Sequence, residues 1–282
     1  MRSTTGTRGV RRLVLGGASL ALAATMVACG SDDPDTETRA AGADASGTEA
    51  SGTEADPAEF CSAAVAVEAA FGMGPDVEFE TATPAEIEAA LAEFAGRVDP
   101  LLERVEETAP EEIAGDVGTA AALAREASST GDIGALDGPE FQEADAAMDE
   151  YMLAECGYEQ LEATGVDYEF EGIPDSIEAG TVAVTFHNEG EELHEIGLAR
   201  IDDDVTMPVE ELLVLPEEQA MSMVTFTGAA FAEPGSSDTT FLQLEPGRYA
   251  AVCFVPEGTT HHQEGEGPPH FTLGMVAEFT VG

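Results

Sequence analysis

The sequence predicts an α+β protein in two parts, a helical bundle stapled by a disulfide followed by a Greek-key β-sandwich. Three observations predict it. Apolar residues recur at helical spacing from Phe60 to Met152, the period falls to two from Tyr168 onward, and Cys61 and Cys156 stand at the two ends of the helical stretch. With 282 residues, 43% of them hydrophobic, the chain can bury two modest cores, and 6% aromatic content without Trp makes those cores mostly aliphatic.

Residues 1–28 read as a signal peptide. Arg2, Arg8, Arg11 and Arg12 precede an apolar run from Leu13 to Ala28 that is too short and too rich in Ala and Gly for a permanent membrane span. The run ends in Met26-Val27-Ala28-Cys29, which resembles the bacterial lipobox, with Met where Leu is usual. The resemblance implies that Cys29 is lipidated and that the exported chain is anchored to the outer face of a cell membrane. Arg11-Arg12-Leu13-Val14-Leu15 is also similar to a twin-arginine export signal. Residues 29–56 repeat SGTEA and hold no aromatic or large aliphatic residue, so they cannot offset their ordering entropy and read as a disordered acidic tether.

Residues 57–160 carry the helices. Asp56-Pro57 with Glu59 is a start signal, and Phe60, Ala64, Val67 and Phe71 share one face. Thr83-Pro84-Ala85-Glu86 repeats the signal before Ile87, Leu91, Phe94 and Val98; Asp99-Pro100 is expected to kink or restart the helix into Leu101, Leu102 and Val105. Another helix starts near Pro110 and carries Ile113, Val117, Ala121 and Leu123 or Ala124. The last runs from Pro139 through Phe141, Met148 and Met152 to Cys156-Gly157, where Gly suits the position after the cap. The sum is a bundle of four or five helices. Outside the cytoplasm Cys61 and Cys156 are expected to oxidise, closing a loop that stabilises the fold by about 4 kcal/mol. The bundle loosely resembles helical domains of lipoproteins from high-GC bacteria that end in Cys-Gly-Tyr, here Cys156-Gly157-Tyr158.

Charge excludes some functions. All ten basic residues are Arg, against 57 acidic ones, and beyond residue 28 six Arg remain, a formal −51. Such a surface repels nucleic-acid phosphates and anionic lipid headgroups and favours cations and basic protein partners, although it also serves as a plain solubility device.

Residues 161–166 read as a link, and 167–282 as the sandwich. Tyr168 and Phe170, Val182, Val184 and Phe186, Thr225–Phe226, Phe241–Leu244, Tyr249–Phe254 and Phe271–Val281 supply short strands, with a short helix at Val209–Leu215 as an excursion. With Cys29 assigned to lipid and Cys61 to Cys156, Cys253 is left over, and an odd thiol in an exported protein is buried or used. All five His fall in this part: His187, expected to face solvent, His194, His261, His262 and His270. A thiol, imidazoles and the thioether of Met275 are the donors a His₂Cys copper site with a weak axial Met draws on. Each also has an ordinary reading: Cys253 as a small buried hydrophobe, the His as loop residues, Met275 as core.

Tyr168-Glu169-Phe170, Ile177 to Val182, Phe186-His187-Asn188-Glu189-Gly190 with His194, Leu244 to Tyr249, then Cys253, His270 and Met275 together resemble the cupredoxin pattern of plastocyanin and azurin over residues 167–282. The resemblance implies a cupredoxin-like sandwich in which His194, Cys253 and His270 are equatorial ligands and Met275 the axial ligand of one copper ion. Two departures stand out. Sixteen residues separate Cys253 from His270, an insert that brings His261 and His262 as possible extra ligands or entry groups. Glu195 also follows His194 where blue copper proteins often have an amide or hydroxyl residue that ties the ligand loops together. Two function classes follow: a lipid-anchored copper protein that carries one electron or hands copper to a protein partner, or a metal-free sandwich that binds or scaffolds a partner. No arrangement of nucleophile and base, and no phosphate-cradling loop, points to an enzyme.

Overall fold

The structure, a computed structural model, describes residues 56–79, 81–260 and 263–282. The signal segment, Cys29, the tether, His261 and His262 lie outside the described residues.

Helix α1 (Pro57–Met73) starts where Asp56 caps it, its side chain accepting the Ala58 N–H at 3.1 Å. Helix α2 (Pro84–Thr108) opens on a capping box, with Thr83 and Glu86 each bonding the other's backbone N–H. It runs through Pro100 without a break. The helix does not restart at Asp99-Pro100, and Pro100 and Gly96, whose carbonyl loses its partner, are on the exposed side, where water can satisfy that carbonyl. Helix α3 (Ala114–Thr130) begins four residues after Pro110, and α4 (Pro139–Glu155) ends at Cys156, with Gly157 at φ +65°. Successive helices pack on one another, burying Phe60, Phe94, Val98, Leu102, Val105, Val117 and Met152, and Cys61 and Cys156 are joined by a disulfide.

The sandwich holds two sheets. In the first, β2 (Glu169–Glu171), β1 (Glu159–Val166), β4 (Gly180–Asn188) and β7 (Ser237–Leu244) lie in that order; in the second, β3 (Ser176–Ile177), β9 (Val276–Val281), β8 (Gly247–Val252), β5 (His194–Ile201) and β6 (Val224–Ala232). Residues 161–166 are therefore not a link: β1 pairs in parallel with β4, setting Leu161 opposite Val184 and Ala163 opposite Phe186. The expected strand from Phe271 is also shorter, since His270–Leu273 is a 3₁₀ turn and β9 begins at Val276. The Val209–Leu215 excursion folds as α5 (Val209–Leu212), followed by α6 (Glu217–Met221). Together they cover Ile201, Ala250 and Val252 on the second sheet.

The main core lies between the sheets and includes Val182, Val184, Phe186, Ile196, Leu198, Leu244, Tyr249 and Phe279. The opposite face of the first sheet is covered by helices, where Ala183 and Phe241 join Phe60, Cys61, Ala64, Tyr151 and Met152 in one cluster. Burial on both faces explains the unbroken apolar run Val182-Ala183-Val184. Glu68 of α1 accepts the Phe241 N–H at 2.7 Å and Tyr158 donates to the Cys61 carbonyl at 2.9 Å, so polar bonds also cross this junction. A cavity of about 190 Å³ among the helices has apolar walls, with Glu68, Asp145 and Asp149 lining it. Burial pushes the carboxyls of Glu68 up to about 8 and Asp149 up to about 9, and that of Asp145 to about 6.

Candidate metal centre

His194, Cys253 and His270 meet at one end of the sandwich, fully buried, with one potential ligand atom from each, all within 4.8 Å of one another. Three strand ends bring them there. His194 opens β5 and Cys253 follows β8, the two neighbouring strands of the second sheet, while His270 begins the 3₁₀ turn that leads into β9. The backbone of that turn is laced to the Cys253 segment: the His270 N–H donates to the Val255 carbonyl at 2.9 Å, that of Phe271 to Cys253 at 2.9 Å, and that of Cys253 to Met275 at 3.2 Å. The sixteen-residue insert is thereby closed at its base, where Pro256 and Pro269 bridge and the Glu257 N–H donates to Pro268 at 3.0 Å. The distance in sequence between Cys253 and His270 vanishes in space.

His194 Nδ1 lies 3.0 Å from His270 Nδ1, which in turn lies 3.4 Å from Cys253 Sγ. Met275 is fully buried in the same core cluster as Cys253. A Cβ on Gly165 would come within 2.8 Å of the Met275 methyl and 2.7 Å of Phe186, so only Gly at this point of β1 leaves room for the thioether. Gly190 plays the same part for His194, whose Nε2 a Cβ there would meet at 2.6 Å. His187 is not part of the centre; its Nδ1 faces Ser237 Oγ at 2.6 Å across the β4–β7 ladder.

Burial sets the protonation of the donors. It lowers His194 to about 4, with His270 adding to the effect, and lowers His270 as well, against an opposing pull from Glu192. It pushes the Cys253 thiol up to about 12. Both imidazoles are thus neutral at ordinary pH and can donate lone pairs, while the thiol gives up its proton only to something that replaces it, as a metal ion does. Two neutral imidazole nitrogens 3.0 Å apart must share a proton or a cation, since two lone pairs at that distance repel. The donor set, soft sulfur with two imidazoles in a dry pocket, fits a single copper ion.

Several residues around the centre carry no ligand signal in the sequence. Asp167 and Tyr168 have positive φ, 28° and 73°, and this left-handed pair sets the Tyr168 ring 4.8 Å from His270 and 6.3 Å from His194. Buried Asn188 donates to the carbonyls of Glu192 and Ala232, both at 2.7 Å, and accepts from Gly190 at 2.8 Å, which holds the turn before His194. Glu195 does the tying work expected of an amide or hydroxyl: its carboxylate accepts the Phe254 N–H at 2.8 Å, while its own N–H lies 3.4 Å from Cys253 Sγ. The two ligand segments are thus joined on both sides of the thiol.

No family model and no curated protein matches this chain. Among solved structures it is similar to the dithionite-reduced auracyanin of Roseiflexus castenholzii, at 22% identity over 44% of this chain and 96% of that one, with a TM-score of 0.30. Auracyanin A of Chloroflexus aurantiacus, a "blue" copper protein, is similar at 16% identity over 45% of this chain and all of that one, with a TM-score of 0.29. Reduced rusticyanin is similar at 16% identity over 44% and 78%, with a TM-score of 0.28.

Proposed function

We propose that this chain is a one-electron carrier that binds one copper ion at His194, Cys253 and His270, with Met275 as the weak axial ligand. The observation that carries the reading is the convergence of three buried donors from three strand ends on one point. Copper held by thiolate and imidazole supplies a centre that both of its common oxidation states tolerate. The protein's part is to keep the donors where they are. Backbone bonds between Cys253 and the His270–Met275 turn, the Glu195 tie and the Asn188 turn leave the ligands little room to rearrange, which is what fast electron exchange needs. Among the described residues the three donors are fully buried, which favours a carrier over an enzyme.

In this reading residues 1–28 export the chain and a lipid on Cys29 holds it on the outer face of the membrane, with the acidic segment after it giving reach. Among the described residues no helix is long and apolar enough to cross a membrane. The helices act as a stapled bundle that supports the first sheet, and the acidic surface favours a basic redox partner. The test is a potentiometric titration of the copper-loaded protein. One reversible one-electron wave with copper retained through repeated cycles is expected; release of copper on reduction would instead mark a protein that hands the metal on.

A further inference from the structure

The two imidazoles of the centre are held in different ways. His194 Nε2 is buried without a hydrogen-bond partner, against Gly190. His270 Nε2 lies 3.2 Å from Glu192 Oε2. The same oxygen accepts the Gly258 N–H at 2.6 Å, the other carboxylate oxygen lies 3.4 Å from the Tyr168 hydroxyl, and the Glu192 carbonyl accepts from Asn188. Glu192 therefore joins the turn before His194, the insert loop and the Tyr168 turn, the three segments that close over the centre.

We propose that Glu192 is the positioning residue of this centre: its carboxylate accepts a hydrogen bond from His270 Nε2–H, fixes that ring as an Nδ1 donor and makes it the electron-richer of the two imidazoles. A carboxylate only accepts, so His270 Nε2 must carry the hydrogen and, in the neutral ring, Nδ1 must be bare. That bare nitrogen is the one that faces His194 Nδ1 and Cys253 Sγ. The opposite tautomer would set a ring lone pair against the carboxylate and turn an N–H toward the donors. An imidazole backed by a carboxylate is also a stronger base toward metal, so it favours the more oxidised ion; His194 has no such backing. Nothing in the acid-rich turn Glu189-Gly190-Glu191-Glu192 sets this carboxylate apart in the sequence; only its neighbours do.

The effect on the metal rests on the copper reading, whereas the tautomer belongs to the metal-free chain, and the two are measured separately. Nitrogen-15 NMR of the metal-free protein is expected to show His270 with a protonated Nε2 and bare Nδ1. Glu192→Ala should turn this into a tautomer mixture, while Glu192→Gln, whose amide oxygen still accepts, should keep it. In the copper-loaded protein Glu192→Gln is expected to favour the reduced over the oxidised ion about tenfold, a rise of about 59 mV for a one-electron couple. An unchanged tautomer in Glu192→Ala, or an unchanged potential in Glu192→Gln with copper bound, would overturn the role of Glu192. A wild-type chain that binds no copper would overturn the proposed function instead and leave the NMR result to decide Glu192.

Discussion

At the metal-centre end of the sandwich, Glu192 and Glu195 are held by N–H groups from Gly258 and Phe254 and by His270, whereas at the junction with the helices Glu68 has the Phe241 N–H while Asp145 and Asp149 border an apolar cavity. Hydrogen-bond donors surround the first pair, whereas the second group is pushed toward the neutral form by desolvation. Enclosed acids are thus handled in two ways in one chain. Where the site must hold a geometry, the carboxylates are wired; where two layers only need to meet, they take up protons.

The largest effect expected is on the helical side. Replacing Cys61 and Cys156 with Ser opens the loop between them and should cost about 4 kcal/mol in denaturant melts. Copper binding by the folded fraction should be unchanged, because none of the donors lies in that loop.

Asn188→Ala attacks the other side. It strands the Glu192 and Ala232 carbonyls and the Gly190 N–H, all three now paired with this buried side chain. A loss of about 3 kcal/mol is expected, from about 1 kcal/mol for each of the three hydrogen bonds removed, one of them buried and two part-buried. Unlike the disulfide variant, it should also broaden the electron paramagnetic resonance signal of the copper-loaded protein.

The pH dependence of stability reports on the acids at the helical side. Glu68 and Asp149 have folded-state values raised to about 8 and about 9, so the folded chain holds protons that the unfolded chain has released. Their contribution is fully present below the ordinary carboxylate range and is lost as pH rises through 8 and 9. Melts from pH 5 to 9 should therefore show falling stability, and Glu68→Gln should flatten the slope and stabilise the protein at pH 9 by about 2 kcal/mol. A slope of the same size in the variant would remove Glu68 from this account.

The smallest effect belongs to a local cap. Thr83→Ala removes one half of the capping box of α2 and should cost about 1 kcal/mol, with no change at the centre.

What could be read in the sequence was what local chemistry specifies. Asp56-Pro57 and Thr83-Pro84-Ala85-Glu86 mark helix starts because each satisfies a backbone N–H within three residues, and the structure keeps both. Cys253 and His270 stood out because thiols and imidazoles are rare in this chain. Strand β1 was missed because Glu159–Val166 offers only Leu161 and Ala163 to an alternating pattern, the third buried position being Gly165, and its pairing with β4 is set by contacts distant in sequence. Glu192 was missed because it is one carboxylate among 57 acidic residues. Pro100 did not restart its helix because the carbonyl it frees faces water, which composition does not tell.

The most direct test of the copper centre is the visible absorption and metal content of the chain lacking residues 1–29 after addition of Cu(II), beside the Cys253→Ala variant. An intense thiolate-to-copper band at one copper per chain, absent from the variant, is the predicted result. A colourless wild-type chain that retains no copper would contradict it, and would leave His194, Cys253 and His270 as a buried cluster of another purpose.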